Sequence, residues 1–95
     1  MSAGEKAYEF NVSIVIVNWK TPLLLARCLD SLKEDPQYDT FELIVVDNNS
    51  GDESVPMLKE KYPFVRLIEN KDNAGFSRGC NQAIEIARGR NVLLL

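Results

Sequence analysis

Val45-Val46-Asp47-Asn48-Asn49-Ser50-Gly51-Asp52 decides how this chain is read. The apolar run from Leu43 to Val46 stops abruptly at an acid, two amides, a hydroxyl and a glycine. A buried strand that ends in small polar groups, with a helix to follow, is how open α/β sheets build ligand sites at strand carboxyl ends. The arrangement recurs on either side. Upstream, Val12 to Val17 runs into Asn18-Trp19-Lys20-Thr21. Downstream, Val65 to Ile68 runs into Asn70-Lys71-Asp72-Asn73-Ala74-Gly75. Three polar loops at three strand ends make a surface for a polar ligand.

The intervening segments read as helices. Thr21 offers an N-cap and Pro22 suits a first helical position. Leu24, Leu25, Cys28, Leu29 and Leu32 then repeat at helical spacing. Asp35 to Thr40 is a turn-rich return before a strand over Glu42 to Val46. Pro56 is tolerable only in a first turn, which places the second helix start near Asp52, and Tyr62-Pro63 ends that helix. A third strand spans Phe64 to Glu69. A third helix starts near Phe76, with Phe76, Cys80, Ala83, Ile84 and Ala87 on one face and Gly89 as its stop. Asn91 to Leu95 opens a fourth strand. The expected fold is α/β, a parallel β-α-β-α-β-α-β Rossmann-like sheet. Right-handed crossovers bring all three polar loops to one edge and the return loops to the other.

Composition narrows the function. The 95 residues allow one domain; 45% are hydrophobic and 26% charged, so the chain is globular. The net charge of −3, with acids and bases interspersed, argues against a nucleic-acid partner. There is no histidine, and Cys28 and Cys80 lack metal-ligand spacing, so both read as buried free thiols in a reducing compartment. No run reaches the roughly 18 apolar residues of a membrane span. A cytoplasmic location is expected, with peripheral contact at the inner face of the membrane left open. Residues 1–11 read as an N-terminal tail and 12–95 as part of a domain truncated at its C-terminus, because a parallel strand ending at Leu95 has no following loop.

The loops suggest chemistry. Trp19 sits in a polar loop, where its ring either stacks on a nucleobase or packs over the sheet edge; such stacking is worth roughly 1–3 kcal/mol. Asp47 and Asn48 either present acceptors to a ligand or tie down their own turn. Asn49, Ser50 and Gly51 read as turn-shaping residues. Lys20, Lys71 and Arg78 are cations at the same edge. Asn73-Ala74-Gly75 leads into the third helix, whose N-terminal amides could face an anion. Gly79 leaves a gap that would let that helix approach another backbone. No Gly-x-Gly-x-x-Gly follows the first strand, no P-loop motif exists, and no nucleophilic triad can be assembled.

Five segments in order carry a resemblance: Val12 to Trp19, Cys28 to Leu32, Glu42 to Ser50, Asn73 to Asn81, and Ala87 to Leu95. Together they resemble family 2 glycosyltransferases of the GT-A fold, most of all the rhamnosyltransferase-like branch. The resemblance implies that residues 12–95 are the nucleotide-sugar-binding part of a glycosyltransferase. It further implies a UDP- or dTDP-sugar donor, a saccharide or lipid-linked acceptor, and a place in cell-surface polysaccharide biosynthesis. Val17, Asn18 and Trp19 would then surround the base, and Asp47 and Asn48 would meet the base and ribose. Asn73 and Arg78 complete the expected nucleotide-binding set.

Three residues depart from the family pattern: Asn48 where a second acid is common, Lys20 where asparagine is common, and Cys80 where asparagine or arginine is usual. The family's metal-binding acidic motif and catalytic base would follow Leu95. The intact enzyme is therefore expected to use Mg2+ or Mn2+, whereas residues 1–95 are expected to hold neither metal nor catalytic residue and to be inactive alone. Exposed apolar surface on the fourth strand is expected to make the chain self-associate. The competing readings are a non-catalytic α/β nucleotide-binding or regulatory module and a nucleotidyltransferase. A receiver-like module would want an acidic pair where Asn18-Trp19 stands. A nucleotidyltransferase would want a glycine-rich loop there.

Overall fold

The computed structural model describes residues 8–73 and 75–95. The expected tail over 1–11 falls largely outside them. Four parallel strands lie in the order β3-β2-β1-β4: β1 (Phe10–Asn18), β2 (Phe41–Asp47), β3 (Arg66–Glu69) and β4 (Gly89–Leu94). Three α-helices connect them in turn: α1 (Pro22–Lys33), α2 (Ser54–Lys61) and α3 (Phe76–Ile86). The α/β class and the parallel topology are as the sequence predicts.

Strand alternation sorts the core onto two faces. Ile14 and Ile16 of β1, with Leu43 and Val45 of β2, pack against Leu25 and Leu29 of α1, Leu58 of α2, and Tyr62. Val15, Ile44 and Val46 face the opposite way, against Ala83 of α3. The register Ile14↔Leu43, Val15↔Ile44 and Ile16↔Val45 keeps each set on its own side. Strands covered on both faces explain why β1 and β2 read as nearly unbroken apolar runs. Chain order reverses at β1. The chain steps outward from β1 to β2 to β3, then crosses back to place β4 on the free side of β1. The carboxyl end of β1 is thus next to the point where open α/β sheets form their ligand crevice.

Several boundaries differ from the sequence expectation, each for a local reason. β1 starts at Phe10 rather than Val12, because Phe10 is already in register with Gly89 and its ring lies 5.4 Å from the Arg88 guanidinium. β3 starts at Arg66, not Phe64. Phe64 turns aside to pack edge-on against Tyr38 and Tyr62, with ring centroids 5.7 and 6.1 Å away. α2 starts at Ser54, whose N–H donates to Asp52 Oδ1 at 2.9 Å. Gly89 is not a helix stop. α3 ends at Ile86, and Gly89 opens β4 where a Cβ would lie 2.4 Å from the Ser13 backbone nitrogen. On α3, Cys80 and Ala83 are buried, but Phe76 and Ile84 are exposed. β4 exposes Val92, Leu93 and Leu94 by 40–48%.

At the amino edge of the sheet lies a charge cluster that the sequence reading missed. Glu42 is 3% exposed. Its Oε1 accepts from Ser13 Oγ (2.7 Å) and from Arg88 N–H (2.7 Å). Its Oε2 accepts from Arg66 Nη1 and Arg88 Nε, both at 2.8 Å. Burial pushes its pKa up. The Arg88 backbone amide, the Ser13 hydroxyl and the two guanidinium groups outweigh that and bring it to about 2. Ser13 Oγ also accepts from Gly89 N–H at 2.8 Å. One carboxylate so joins β1, β2, β3 and the entry to β4.

Candidate functional site

Parallel register puts Asn18 opposite Asp47 at the carboxyl edge. Both are buried and bonded to each other, Asn18 Nδ2 donating to Asp47 Oδ1 at 2.9 Å. The same amide reaches Ser50 Oγ at 3.3 Å, and Asn18 Oδ1 accepts from Thr21 Oγ1 at 2.8 Å. Thr21 therefore does not cap α1 with its side chain, as its position suggested; Asn18 takes its hydroxyl. Asp47 Oδ1 also accepts from Ser50 Oγ (2.7 Å), and Oδ2 accepts from Ser50 N–H (3.0 Å). A carboxylate offers about four acceptor directions. These bonds use three, and the partners are neutral.

Asn48 continues the network toward β3 and α3. Its Oδ1 accepts from Asn70 Nδ2 at 2.8 Å, and its Nδ2 donates to the Gly75 carbonyl at 3.3 Å. Asn70 and Gln82 exchange amide bonds at 2.8 and 2.9 Å, which ties the end of β3 to α3. Backbone bonds reinforce the chain of contacts: Asn48 N–H to Asn18 O, and Asn70 N–H to Asp47 O, both 2.9 Å. All three strand ends are stitched together before any ligand arrives.

The expected site residues divide accordingly. Asn18, Asp47 and Asn48 lie side by side, but their side chains serve mainly to hold the three loops. Val17 is partly buried under α3, where a Cβ on Gly79 would meet its methyls at 3.0 and 3.1 Å. Gly79 thus lets α3 sit on valine side chains of β1 and β2, not against another backbone as its sequence position suggested. Trp19 is 48% exposed, with the Lys20 ammonium 5.0 Å from its ring centroid. It neither buries itself over the sheet nor leaves the edge. Asn73 is exposed, and its Oδ1 accepts from Gly75 N–H at 3.2 Å. Gly75, at φ 94°, makes the turn into α3. Arg78 is exposed and pairs with exposed Asp72 at 3.3 Å, a contact worth little in solvent.

Sequence reasoning read Ser50 as shaping its turn, which its bonds to Asp47 do, but missed Asn70 and Gln82 as organisers of the edge. Asn70 carried a signal, since it is the first polar residue after β3, as Asn18 and Asp47 terminate β1 and β2. Gln82 carried none beyond residue type. Among the described residues, no three His, Cys, Asp or Glu side chains come together to hold a metal ion. Both cysteines are free, and burial pushes both thiols up, away from nucleophilic use near neutral pH. No helix among the described residues is long and apolar enough to cross a membrane.

Comparison with known proteins bears on this edge. Residues 13–95 match Glycosyl transferase family 2. The poly(ribitol-phosphate) beta-glucosyltransferase of Bacillus spizizenii is 39% identical over 90 residues, which cover 88% of this chain and 14% of that protein. The uncharacterised glycosyltransferase YibD of Escherichia coli is 38% identical over 84 residues, 85% of this chain and 24% of its own. The minor teichoic acid biosynthesis protein GgaB of Bacillus subtilis is 27% identical over 96 residues, 97% of this chain and 11% of its own. The chain so spans only a small part of each relative. Among solved structures, the mannosyltransferase PcManGT of Pyrobaculum calidifontis, in complex with GDP-Man and Mn2+, superposes with a TM-score of 0.71. The match has 23% identity and covers 87% of this chain and 28% of that one. That likeness establishes a shared fold, the GT-A arrangement that the strand-end residues implied.

Proposed function

This chain belongs to glycosyl transferase family 2, and we propose that it forms the nucleotide-binding part of an enzyme that moves a sugar from a nucleoside diphosphate sugar to an acceptor hydroxyl. One observation carries the reading. The half-exposed Trp19 ring stands at the carboxyl end of β1, where strand order reverses, on loops already fixed by Asn18, Asp47 and Asn48. A rigid aromatic face beside a buried carboxylate suits a nucleobase, the ring for stacking and the remaining Asp47 acceptor direction for a base N–H or a ribose hydroxyl. Asn73 and Arg78, at the entry to α3, are the residues proposed to meet the diphosphate.

The finer assignments follow from the same edge. A uridine or thymidine donor is proposed, the ring N–H of its base matching the Asp47 acceptor; adenine offers no such donor, and guanine, which does, is separated by the GDP titration. The rhamnosyltransferase-like branch rests on the resemblance of the strand-end segments, and the acceptor is proposed as a saccharide or lipid-linked glycan at the cytoplasmic face of the membrane. A divalent ion, Mg2+ or Mn2+, would neutralise the leaving diphosphate. Among the described residues no three His, Cys, Asp or Glu side chains cluster; the proposed roles of Trp19, Asp47, Asn48, Asn73 and Arg78 are to hold the base, ribose and diphosphate. Residues 12–95 are the proposed nucleotide-binding unit, the remainder of the enzyme supplying metal ligands and base.

Calorimetric titration with UDP, dTDP, GDP and ADP tests the reading. Binding of UDP and dTDP, weakened at least tenfold by Trp19→Ala, is the expected result. Equal or tighter purine binding rejects the pyrimidine assignment, and no binding of any of the four rejects the site.

A further inference from the structure

We propose that Ser50 is a positioning residue that aims Trp19, acting as a latch on the turn that carries the ring. Lys20 has φ 56°, the left-handed region that a residue with a long side chain adopts only when something holds it there. What holds it is Ser50 Oγ, which accepts the Lys20 backbone N–H at 2.9 Å. The same hydroxyl donates to Asp47 Oδ1 at 2.7 Å and accepts from Asn18 Nδ2 at 3.3 Å. A hydroxyl has one donor and two acceptor directions. All three are used, and the acceptor-only carboxylate fixes which way the proton points. Ser50 is itself 4% exposed, so water does not compete for these bonds.

Trp19 lies between the two residues that this hydroxyl grips. Asn18 is held on one side by Asp47 and Ser50, and the Lys20 backbone on the other by Ser50. Packing does not fix the ring, since nearly half of it is exposed. Its direction follows from the clamped backbone before and after it. The consequence for ligand binding rests on the nucleotide reading above: a stacking face held in place costs less order on binding than one that must be caught. The effect on the ring itself does not depend on that reading.

Trp19 is the sole tryptophan, so indole emission reports this one position. The test measures emission anisotropy, acrylamide quenching and UDP titration on the 95-residue chain and its variants. Ser50→Ala is expected to lower the anisotropy, to raise the quenching constant about twofold, and to weaken UDP about fivefold, the loss of roughly one hydrogen bond. Ser50→Thr keeps the hydroxyl and restores all three. Glu42→Gln, at the opposite edge, lowers the melting point without moving any of them. If Ser50→Ala does not fold by circular dichroism, Lys20→Gly is read instead. It keeps the backbone N–H and removes the ammonium over the ring, and its anisotropy should match wild type. Wild-type anisotropy and quenching in folded Ser50→Ala, or a loosened ring in Lys20→Gly, overturns the latch. If UDP leaves wild-type Trp19 emission unchanged while Ser50→Ala still loosens the ring, the nucleotide reading fails and the latch stands.

Discussion

Replacing Glu42 by glutamine should cost this small fold a large share of its stability. The side chain is buried, and each carboxylate oxygen accepts two bonds, from Ser13 and the Arg88 amide on one side and from Arg66 and the Arg88 guanidinium on the other. An isosteric amide keeps one oxygen. It turns an N–H2 group toward the other pair of donors, so two donors lose their acceptor, Arg66 loses the counter-charge of Glu42, and Arg88 retains that of exposed Glu9 at 3.1 Å. The descent of the Glu42 pKa from 4.5 to about 2 corresponds to about 3 kcal/mol of differential stabilisation. Arg66 and Arg88 are 34% and 47% exposed, so solvent screening trims this toward roughly 2–3 kcal/mol. For a domain of this size that is a fall in melting point of roughly 10–20 °C.

The pH dependence has a definite sign. A carboxylate whose pKa is depressed on folding stabilises the fold above its unfolded pKa, and that contribution disappears as pH falls through the folded value. The gap between wild type and Glu42→Gln, measured by urea unfolding, should be full at pH 7, shrink below about pH 4.5 and close near pH 2. A variant within about 0.5 kcal/mol of wild type at pH 7, or a gap unchanged at pH 3, would refute the assignment of this carboxylate as the staple of the amino edge.

Two further outcomes are expected. Gly89→Ala places a methyl 2.4 Å from the Ser13 nitrogen and 2.7 Å from the Val12 carbonyl carbon, both backbone. β4 must then part from β1, at a cost of about 2 kcal/mol or more in urea unfolding; an unchanged midpoint would show that the strands can separate freely. Residues 1–95 alone should transfer no sugar from a panel of nucleotide sugars with Mg2+ or Mn2+, and the exposed leucines of β4 should make them associate in light scattering. Turnover by the pure chain would overturn the assignment of metal and base to the remainder of the enzyme.

Much of the fold was legible because its signals are local. Apolar runs such as Val12 to Val17 and Leu43 to Val46 are long, β-branched and ended by polar clusters, and Pro22 fixes the start of α1 at the observed residue. The alternation of strands and helices implied the parallel sheet and the shared edge of the three loops. What stayed hidden depends on register. Glu42 reads as an ordinary charged residue at a strand start until pairing puts it beside Ser13 and within reach of Arg66 and Arg88. Asp47 and Asn48 announce a site from their position, but which of their bonds face inward is decided by Asn18, Ser50 and Asn70. Gly89 looked like a helix stop because glycine at a helix end is common; its actual reason is the close approach of a strand that sequence spacing does not show.

The central claim is that the carboxyl edge around Trp19 receives a nucleoside diphosphate. The most direct measurement is a two-dimensional amide NMR titration of the 15N-labelled chain with UDP. The Trp19 indole resonance and the amides of Asn18 to Lys20, Asp47 to Ser50 and Asn73 to Arg78 should shift together and saturate with one dissociation constant, while Ser13, Glu42 and Arg88 stay in place. Saturating shifts confined to the Glu42 edge, or no shift of the Trp19 indole at millimolar UDP, would contradict the claim.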